Sequence, residues 1–408
     1  VPRANTRPRL PTTILLFGFT SLFTDVGTEM IFPLLPVFLT ETLGAGPTYL
    51  GLVEGAADAV ASLLKLVSGV LADRARSRKP MVLLGYGLAS AVRPFVALAT
   101  QPWHVLAVRV TDRVGKGLRG SPRDAMIADA AGAQSGRAFG FHQAMDNVGA
   151  VVGPLLATAL LAVGFSLRNI FWVAVIPGVV ATVLVALIRE PPRAKTEATR
   201  QTPARAPVLT PRLTSYLGIL ALFSLGNSSD AFLLLRVRGL GLSTAQIPVL
   251  WAVLNASKVV WAYVGGNAAD RLPRARLVAS GWCVFALVYV GLGHATQPWH
   301  AWLLFVVYGV FYGLTEPVEK ALVKDLVPAE HRGRAYGAYN FVVGATTLPA
   351  GVLMGLAWRM WGPTRALEIG AGLATASAAL LLVWESCAGR VRGPDGRLVF
   401  SRKDGSSY

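Results

Sequence analysis

Charge is scarce in this sequence. Asp, Glu, Lys and Arg make up 15% of its 408 residues, against about a quarter in a typical soluble domain. That shortage excludes an ordinary soluble fold, since 53% of the residues are hydrophobic and the mean hydropathy is +0.50. Cysteine is scarcer still. Cys283 sits in an apolar run and Cys387 near the C-terminus, with no metal-site, thiol-motif or disulfide-framework spacing. There is no nucleotide-binding motif, so direct use of ATP is not expected. No nucleophile stands with a base, and the intramembrane set Asp25, Glu29, His142 and Asp146 has no spacing that forces a metal. The chain is expected not to be an enzyme and to need no cofactor.

The charge that exists is lopsided, with 39 Lys and Arg against 22 Asp and Glu and a net charge of +17. Such an excess can signal nucleic acid. Here the basic residues sit in short segments between hydrophobic runs, as topology signals do, so no nucleic-acid partner is expected. Arg3, Arg7 and Arg9 precede an apolar run too long for a cleaved signal peptide.

Long hydrophobic runs are what the chain has in plenty. A membrane-spanning helix needs about 20 mostly apolar residues. Runs of that kind fall at 12–40, 47–72, 80–100, 102–125, 137–163, 168–188, 213–238, 243–269, 276–294, 299–325, 333–360 and 364–386, twelve in all. The break between the sixth and seventh is rich in Arg and Pro and reads as a linker. The expected organisation is a six-helix bundle over 1–188, a cytoplasmic linker over 189–212, a second six-helix bundle over 213–386 and a basic tail over 387–408. Connections on the linker's side carry 24 Lys and Arg; the other side carries 5, at Arg168, Arg236, Arg238, Arg359 and Arg365. The positive-inside rule therefore places both termini in the cytoplasm, with the chain in the cytoplasmic (inner) membrane.

The two halves repeat. Ala99-Thr-Gln-Pro-Trp-His104 recurs as Ala295-Thr-Gln-Pro-Trp-His300, an offset of 196. Asp73-Arg74 recurs as Asp270-Arg271, and Gly136-Arg-Ala-Phe-Gly140 as Gly333-Arg-Ala-Tyr-Gly337, both at 197. Parallel six-helix repeats are a transporter architecture, with the binding site where they meet.

Gly69-Val-Leu-Ala-Asp-Arg-Ala-Arg-Ser-Arg-Lys79 lies between the second and third runs. It resembles the signature loop of the major facilitator superfamily, Gly-x-x-x-Asp-Arg/Lys followed by basic residues. Gly266-Asn-Ala-Ala-Asp-Arg271 is a weaker copy. Arg76 and Ser77 depart from the usual pattern. With twelve runs and the repeat, the resemblance covers nearly the whole chain and implies an all-α membrane protein of two pseudo-symmetric bundles. It also implies a gate. Gly69 permits close helix approach, while Asp73 can accept from a helix N-terminus and pair with Arg137 or the Arg119–Arg123 region. Arg74, Asp270 and Arg271 belong to the same gate. Gly149-Ala-Val-Val-Gly-Pro154 resembles the start of the superfamily's antiporter motif, although Ala157 and Thr158 replace its final glycines. Gly149 and Gly153 allow tight packing, and Pro154 bends the helix.

Polar residues inside the runs carry the functional reading, because charge in a membrane is costly and marks pathways. Asp25 and Glu29 lie one turn apart in the first run. At helical spacing Arg109, Asp112, Arg113, Lys116, Arg119 and Arg123 form one stripe in the fourth. The resemblance implies that the first, fourth, seventh and tenth helices line the cavity. Asp25, Glu29 and Asp112 are then expected to couple protons, with Arg109 and Arg113 facing them. Glu54, Asp58 and Lys65 share one face of the second helix and can join that network. Arg109, Arg113, Asn227, Asp230, Asn255, Lys258, Tyr308 and Tyr312 are the expected substrate contacts, with Trp251, Trp261 and Tyr263 as further aromatic candidates. The expected function is alternating-access, proton-coupled export of a small organic molecule by a monomer in the bilayer. The alternative is uptake or exchange of an anionic substrate or metal chelate.

Overall fold

The computed structural model describes residues 10–75, 77–131, 135–190, 210–269, 272–327, 332–388, 390–392 and 398–400. Twelve helical segments follow one another in these residues. They are α1 Thr12–Thr42, α2 Pro47–Arg74, α3 Lys79–Leu98, α4 Pro102–Ala131, α5 Ser135–Ala162, α6 Leu167–Leu187, α7 Pro211–Gly239, α8 Gln246–Ala269, α9 Arg274–His294 and α10 Pro298–Asp325, then α11 (332–361) and α12 (363–388). Nine described stretches are long and apolar enough to cross a membrane, and the last, Ala335–Cys387, contains both α11 and α12. Those two meet at Gly362, whose φ of 81° suits glycine. Helices α4 and α8 have comparable length but fall outside that set, α4 carrying the charged stripe. A three-residue antiparallel ribbon, Arg390–Arg392 with Leu398–Phe400, follows α12.

The segment ends follow from local sequence. Pro47, Pro211 and Pro298 open their helices, where a missing N–H loses nothing. The recurring Pro-Trp-His motif has a capping purpose. His104 Nδ1 accepts from the backbone N–H groups of Thr100 and Gln101 at 3.2 and 3.3 Å. His300 Nδ1 accepts from those of Thr296 and Gln297 at 3.3 and 3.4 Å. Three expected straight helices are disturbed, two of them at prolines. Around Pro33, α1 passes through a 3-10 turn at Phe32–Leu34, and after Pro36 it ends in a π turn at Phe38–Thr42. After Arg93, α3 tightens to 3-10 around Pro94. Helix α7 breaks at 227–230, where Asn227, Ser228 and Ser229 replace an apolar turn.

Within the first half α1 packs on α5 and α6, while α4 packs on α2 and α3; in the second, α10 packs on α8 and α9. The halves meet along α2 with α11 and α5 with α8. The first seam is nearly bare backbone. A Cβ on Gly55 would lie 2.9 Å from Leu348 Cα, one on Gly355 2.6 Å from Thr48 Cα, and Gly51 presses directly on Gly351. Cross-half bonds reinforce the same end. Thr48 donates to Gly355 O at 3.1 Å, Thr158 to Ala245 O at 3.2 Å, and Arg238 Nε to Glu41 at 2.6 Å.

Of the expected linker, residues 191–209 lie outside the described residues. Its first acid, Glu190, reaches back to the start of α3. It accepts from the backbone N–H groups of Arg78 and Lys79 at 3.0 and 2.8 Å and from Ser77 Oγ at 2.7 Å. Partial burial pushes its carboxyl up, but these donors outweigh that and hold it below the usual Glu value.

Candidate functional site

A cavity of about 630 Å³ lies between the halves. Its deep end is bounded by Phe32, Glu54, Asp230 and Trp251, and its wall runs out to Lys65, Arg123 and Glu316. The cross-half bonds lie beyond the deep end, so the cavity is closed on the side of the 42–47 connection.

Asp25 and Glu29 both line it. Their placement comes from α5, whose glycines remove the side chains that would hold α1 away. A Cβ on Gly149 would lie 2.9 Å from Asp25 Cβ, and one on Gly153 3.0 Å from Glu29 Cβ. Pro154 follows within α5. This backbone seat brings Asp25 into carboxyl-to-carboxyl hydrogen-bonding contact with Asp146, which also accepts from Ser21 Oγ at 2.5 Å. Glu29 instead accepts from Trp251 Nε1 of the other half at 2.6 Å.

The α4 stripe divides differently from expectation. Arg109 and Asp112 do not face Asp25 and Glu29, and neither lines the cavity. Arg109 is forked onto Glu54, with Nε and Nη2 at 3.0 and 2.7 Å from its two oxygens, and both side chains are buried. Asp112 accepts from Arg93 Nε at 2.7 Å and lies 3.8 Å from Arg113 Nη1. These are buried pairs between α4 and its neighbours α2 and α3. A charged group there is costly without a partner, and the nearest helices supply one first. Arg113 does line the cavity, 3.5 Å from Asp58.

Lys116, Arg119 and Arg123 also line it, so the gate residues Arg119 and Arg123 belong to the cavity wall. Arg123 Nε donates to Asp124 at 2.9 Å. Arg119 stacks its guanidinium 4.2 Å over the Tyr86 ring, and its buried Nη1 has no hydrogen-bond partner among the described residues. Gly69 faces Ser121 of α4, 3.5 Å from where its Cβ would stand. The side chains of Asp73, Arg74, Arg137, Asp270 and Arg271 lie outside the described residues.

In the second half the broken turn of α7 supplies Asn227, Ser228, Ser229 and Asp230 to the wall. Asp230 accepts from Tyr308 at 2.9 Å and Tyr312 at 2.6 Å, with Lys258 Nζ 3.9 Å away. Lys258 also sits 3.6 Å over the Tyr312 ring. Tyr312, Asn255 and Lys258 line the cavity; Tyr308 is fully buried and reaches Asp230 from behind. Asn255 donates to Ala150 O at 3.2 Å, across the halves. Trp261 lies against Gly313 rather than the cavity, and the Tyr263 side chain lies outside the described residues.

A sequence model of the Major Facilitator Superfamily matches residues 17–351. The chain belongs to the major facilitator superfamily. An MFS-type transporter of Methanocaldococcus jannaschii is 30% identical over 378 residues, covering 90% of this chain and 94% of that one. A Mycobacterium tuberculosis protein is 30% identical over 364 residues, with 86% and 88% covered. A Yersinia pestis protein named multidrug resistance protein MdtH is 24% identical over 326 residues, with 78% and 80% covered. Among solved structures, a mutant of the nucleoside transporter NupG superposes with a TM-score of 0.78 at 13% identity, covering 92% of this chain and 99% of that one. A mutant of the peptide transporter POT gives 0.75 at 13%, with 96% of each covered. These structures share this transporter's fold.

Two wall residues of this transporter escape a reading of the stripe alone. Arg93 lies in the apolar α3, and an intramembrane guanidinium needs a partner, so that single charge was the available signal. Tyr86, under Arg119, carries no such signal. The repeat offset of 196 relates Arg93 to Tyr289 and Asp112 to Tyr308. The ion pair of the first half thus becomes two tyrosines, 6.4 Å between ring centroids, in an aromatic block with Phe285 and Phe311.

Proposed function

We propose that this MFS transporter works by alternating access and couples the export of a small organic molecule to protons. The observation that carries the reading is the contact of Asp25 with Asp146 on the cavity wall. A hydrogen bond between two carboxyl groups contains a proton, and its loss leaves two negative charges face to face. Protonation therefore sets how closely α1 and α5 approach. Glu29, one turn along α1, bonds to Trp251, so a change in α1 reaches the other half directly. Asp112 is held by Arg93 away from the cavity, which leaves Asp25, Asp146 and Glu29 as the coupling groups. Asn227, Asn255, Lys258 and Tyr312 are the contacts offered to the organic cargo. The name of the MdtH relative agrees with export. With both termini in the cytoplasm of a cell's inner membrane, the cavity faces inward, ready to load from inside. Both walls of the cavity come from one chain, which supports a single chain as the transporting unit.

The test is transport in proteoliposomes under an imposed pH gradient. Asp25→Asn and Asp146→Asn are expected to lose proton-dependent transport while keeping the thermal stability of the parent. Full gradient-driven activity in both variants overturns the coupling role.

A further inference from the structure

Most basic residues in or behind the cavity wall have an acid. Arg93, Arg109, Arg113, Arg123 and Lys258 hold Asp112, Glu54, Asp58, Asp124 and Asp230. Lys65, Lys116 and Arg119 also line the cavity but make no ion pair with the described residues. Their proximity is built into the backbone. Gly117 seats α4 on α2, where an added Cβ would meet Ala61 O at 2.9 Å. One turn on, Gly120 leaves room for the Lys65 chain, whose Cγ and Cε lie 3.6 Å from the missing Cβ. Lys65 is thereby laid against the face of α4 that presents Lys116 and Arg119. Arg119 is 5% exposed, fixed over Tyr86, and its Nη1 has no hydrogen-bond partner among the described residues.

The acids that face this group are already engaged. Asp58 lies with Arg113, Asp124 with Arg123, and Asp25 with Asp146. Glu316 stands on α10, on the opposite wall. Three cations gathered without an ion-paired acid among the described residues repel one another, and an anion among them removes that repulsion. Deeper in the cavity the wall changes character. Phe32 and Trp251 pack with centroids 5.0 Å apart, and Tyr312 lies across from them.

We propose that the cargo of this site is an organic anion with a doubly charged oxyanion head and a planar apolar body. Lys65, Lys116 and Arg119 hold the head, while Phe32, Trp251 and Tyr312 receive the body. The proposal rests on the transporter reading and deepens it. Lys116 lies within electrostatic reach of Asp25, so a bound anion and the carboxyl pair compete for one cation.

Calorimetric binding to the purified full-length protein in detergent tests this without any transport measurement. Phenyl phosphate is expected to bind, with affinity that falls as salt rises. Inorganic phosphate, benzyl alcohol and benzylamine are expected to bind at least about tenfold more weakly. Lys116→Gln and Arg119→Gln are each expected to weaken phenyl phosphate by about tenfold, the loss of one charge-assisted contact. Both variants are checked for an unchanged melting temperature, and Lys65→Gln serves as a third, more exposed probe. Benzylamine or benzyl alcohol matching phenyl phosphate overturns the anionic class, and inorganic phosphate matching it overturns the organic body. Failure of phenyl phosphate to bind, or indifference to all three substitutions, overturns the site. Any of these leaves proton-coupled transport standing, whereas failure of the Asp25 and Asp146 variants leaves the binding result untouched.

Discussion

The indole N–H of Trp251 donates to the carboxylate of Glu29 at 2.6 Å, joining α8 of one half to α1 of the other. The Trp251 ring is also packed on Phe32 and has Lys258 Nζ 5.1 Å from its centroid. One side chain thus ties an acid and an aromatic of α1 to a cation of its own helix α8 at the deep end of the cavity. Trp251→Phe keeps the ring contact and removes only the donor. A hydrogen bond to a charged group contributes about 1.5–3 kcal/mol. The variant is expected to separate the halves more readily at the closed end, raising the labelling rate of a Thr48→Cys reporter about tenfold or more. Equal labelling in both backgrounds would show that the bond does not hold the halves together.

Glu54 and Arg109 form a buried fork, so removing one partner strands the other. Glu54→Ala is expected to lower stability by about 3–5 kcal/mol, read as a clear fall in melting temperature. Replacing both, as Glu54→Leu with Arg109→Met, is expected to recover most of that loss. A double variant as unstable as the single would mean that the fork does more than satisfy its own charges.

Gly153 sits 2.7 Å, measured from its would-be Cβ, from Val26 O. Gly153→Val is expected to wedge α5 off α1, displacing Glu29 and abolishing transport even where folded protein survives. Gly140 of the same helix has open space around it, so Gly140→Ala is the matched control. Transport by the Gly153 variant at the parental rate would count against the seat.

Glu190 supplies a pH dependence outside the spanning segments. Its folded-state carboxyl is held below the ordinary Glu value, so its contribution is complete above the unfolded value of about 4.3. That contribution is lost as pH falls through the lower folded value. Melting temperature is expected to drop on acidification through this window, and Glu190→Gln is expected to flatten that part of the profile. An identical profile in the variant removes Glu190 as the cause.

The run lengths, the repeat and the glycine motif made the fold legible, because each depends on local composition. The pairings were less legible. A helical stripe fixes which residues share a face, not which neighbour answers them. Arg109 and Arg113 were read against Asp25 and Glu29, yet α2 lies alongside α4 and meets them first. The clue was spacing: Glu54 and Asp58 are four apart, as are Arg109 and Arg113, and the two helices pair in register. The pairing of Asp146 with Asp25 escaped because it depends on the crossing of α5, which only the packing of Gly149 and Gly153 fixes. Tyr308 aligns with Asp112 in the repeat but turns its hydroxyl to Asp230, a residue exposed by a helix break that hydropathy does not reveal.

The aromatic block of α9 and α10, where Tyr289 and Tyr308 replace an arginine and an aspartate, has an electrical consequence. It is an insulator set beside an electrolyte. Field lines from Lys65, Lys116 and Arg119 spread poorly into stacked rings and are crowded into the water between the halves. The potential at the cavity mouth thus depends on an uncharged region as much as on the cations. An acidic side chain introduced at Tyr289 would offset that field and weaken the draw on an incoming anion.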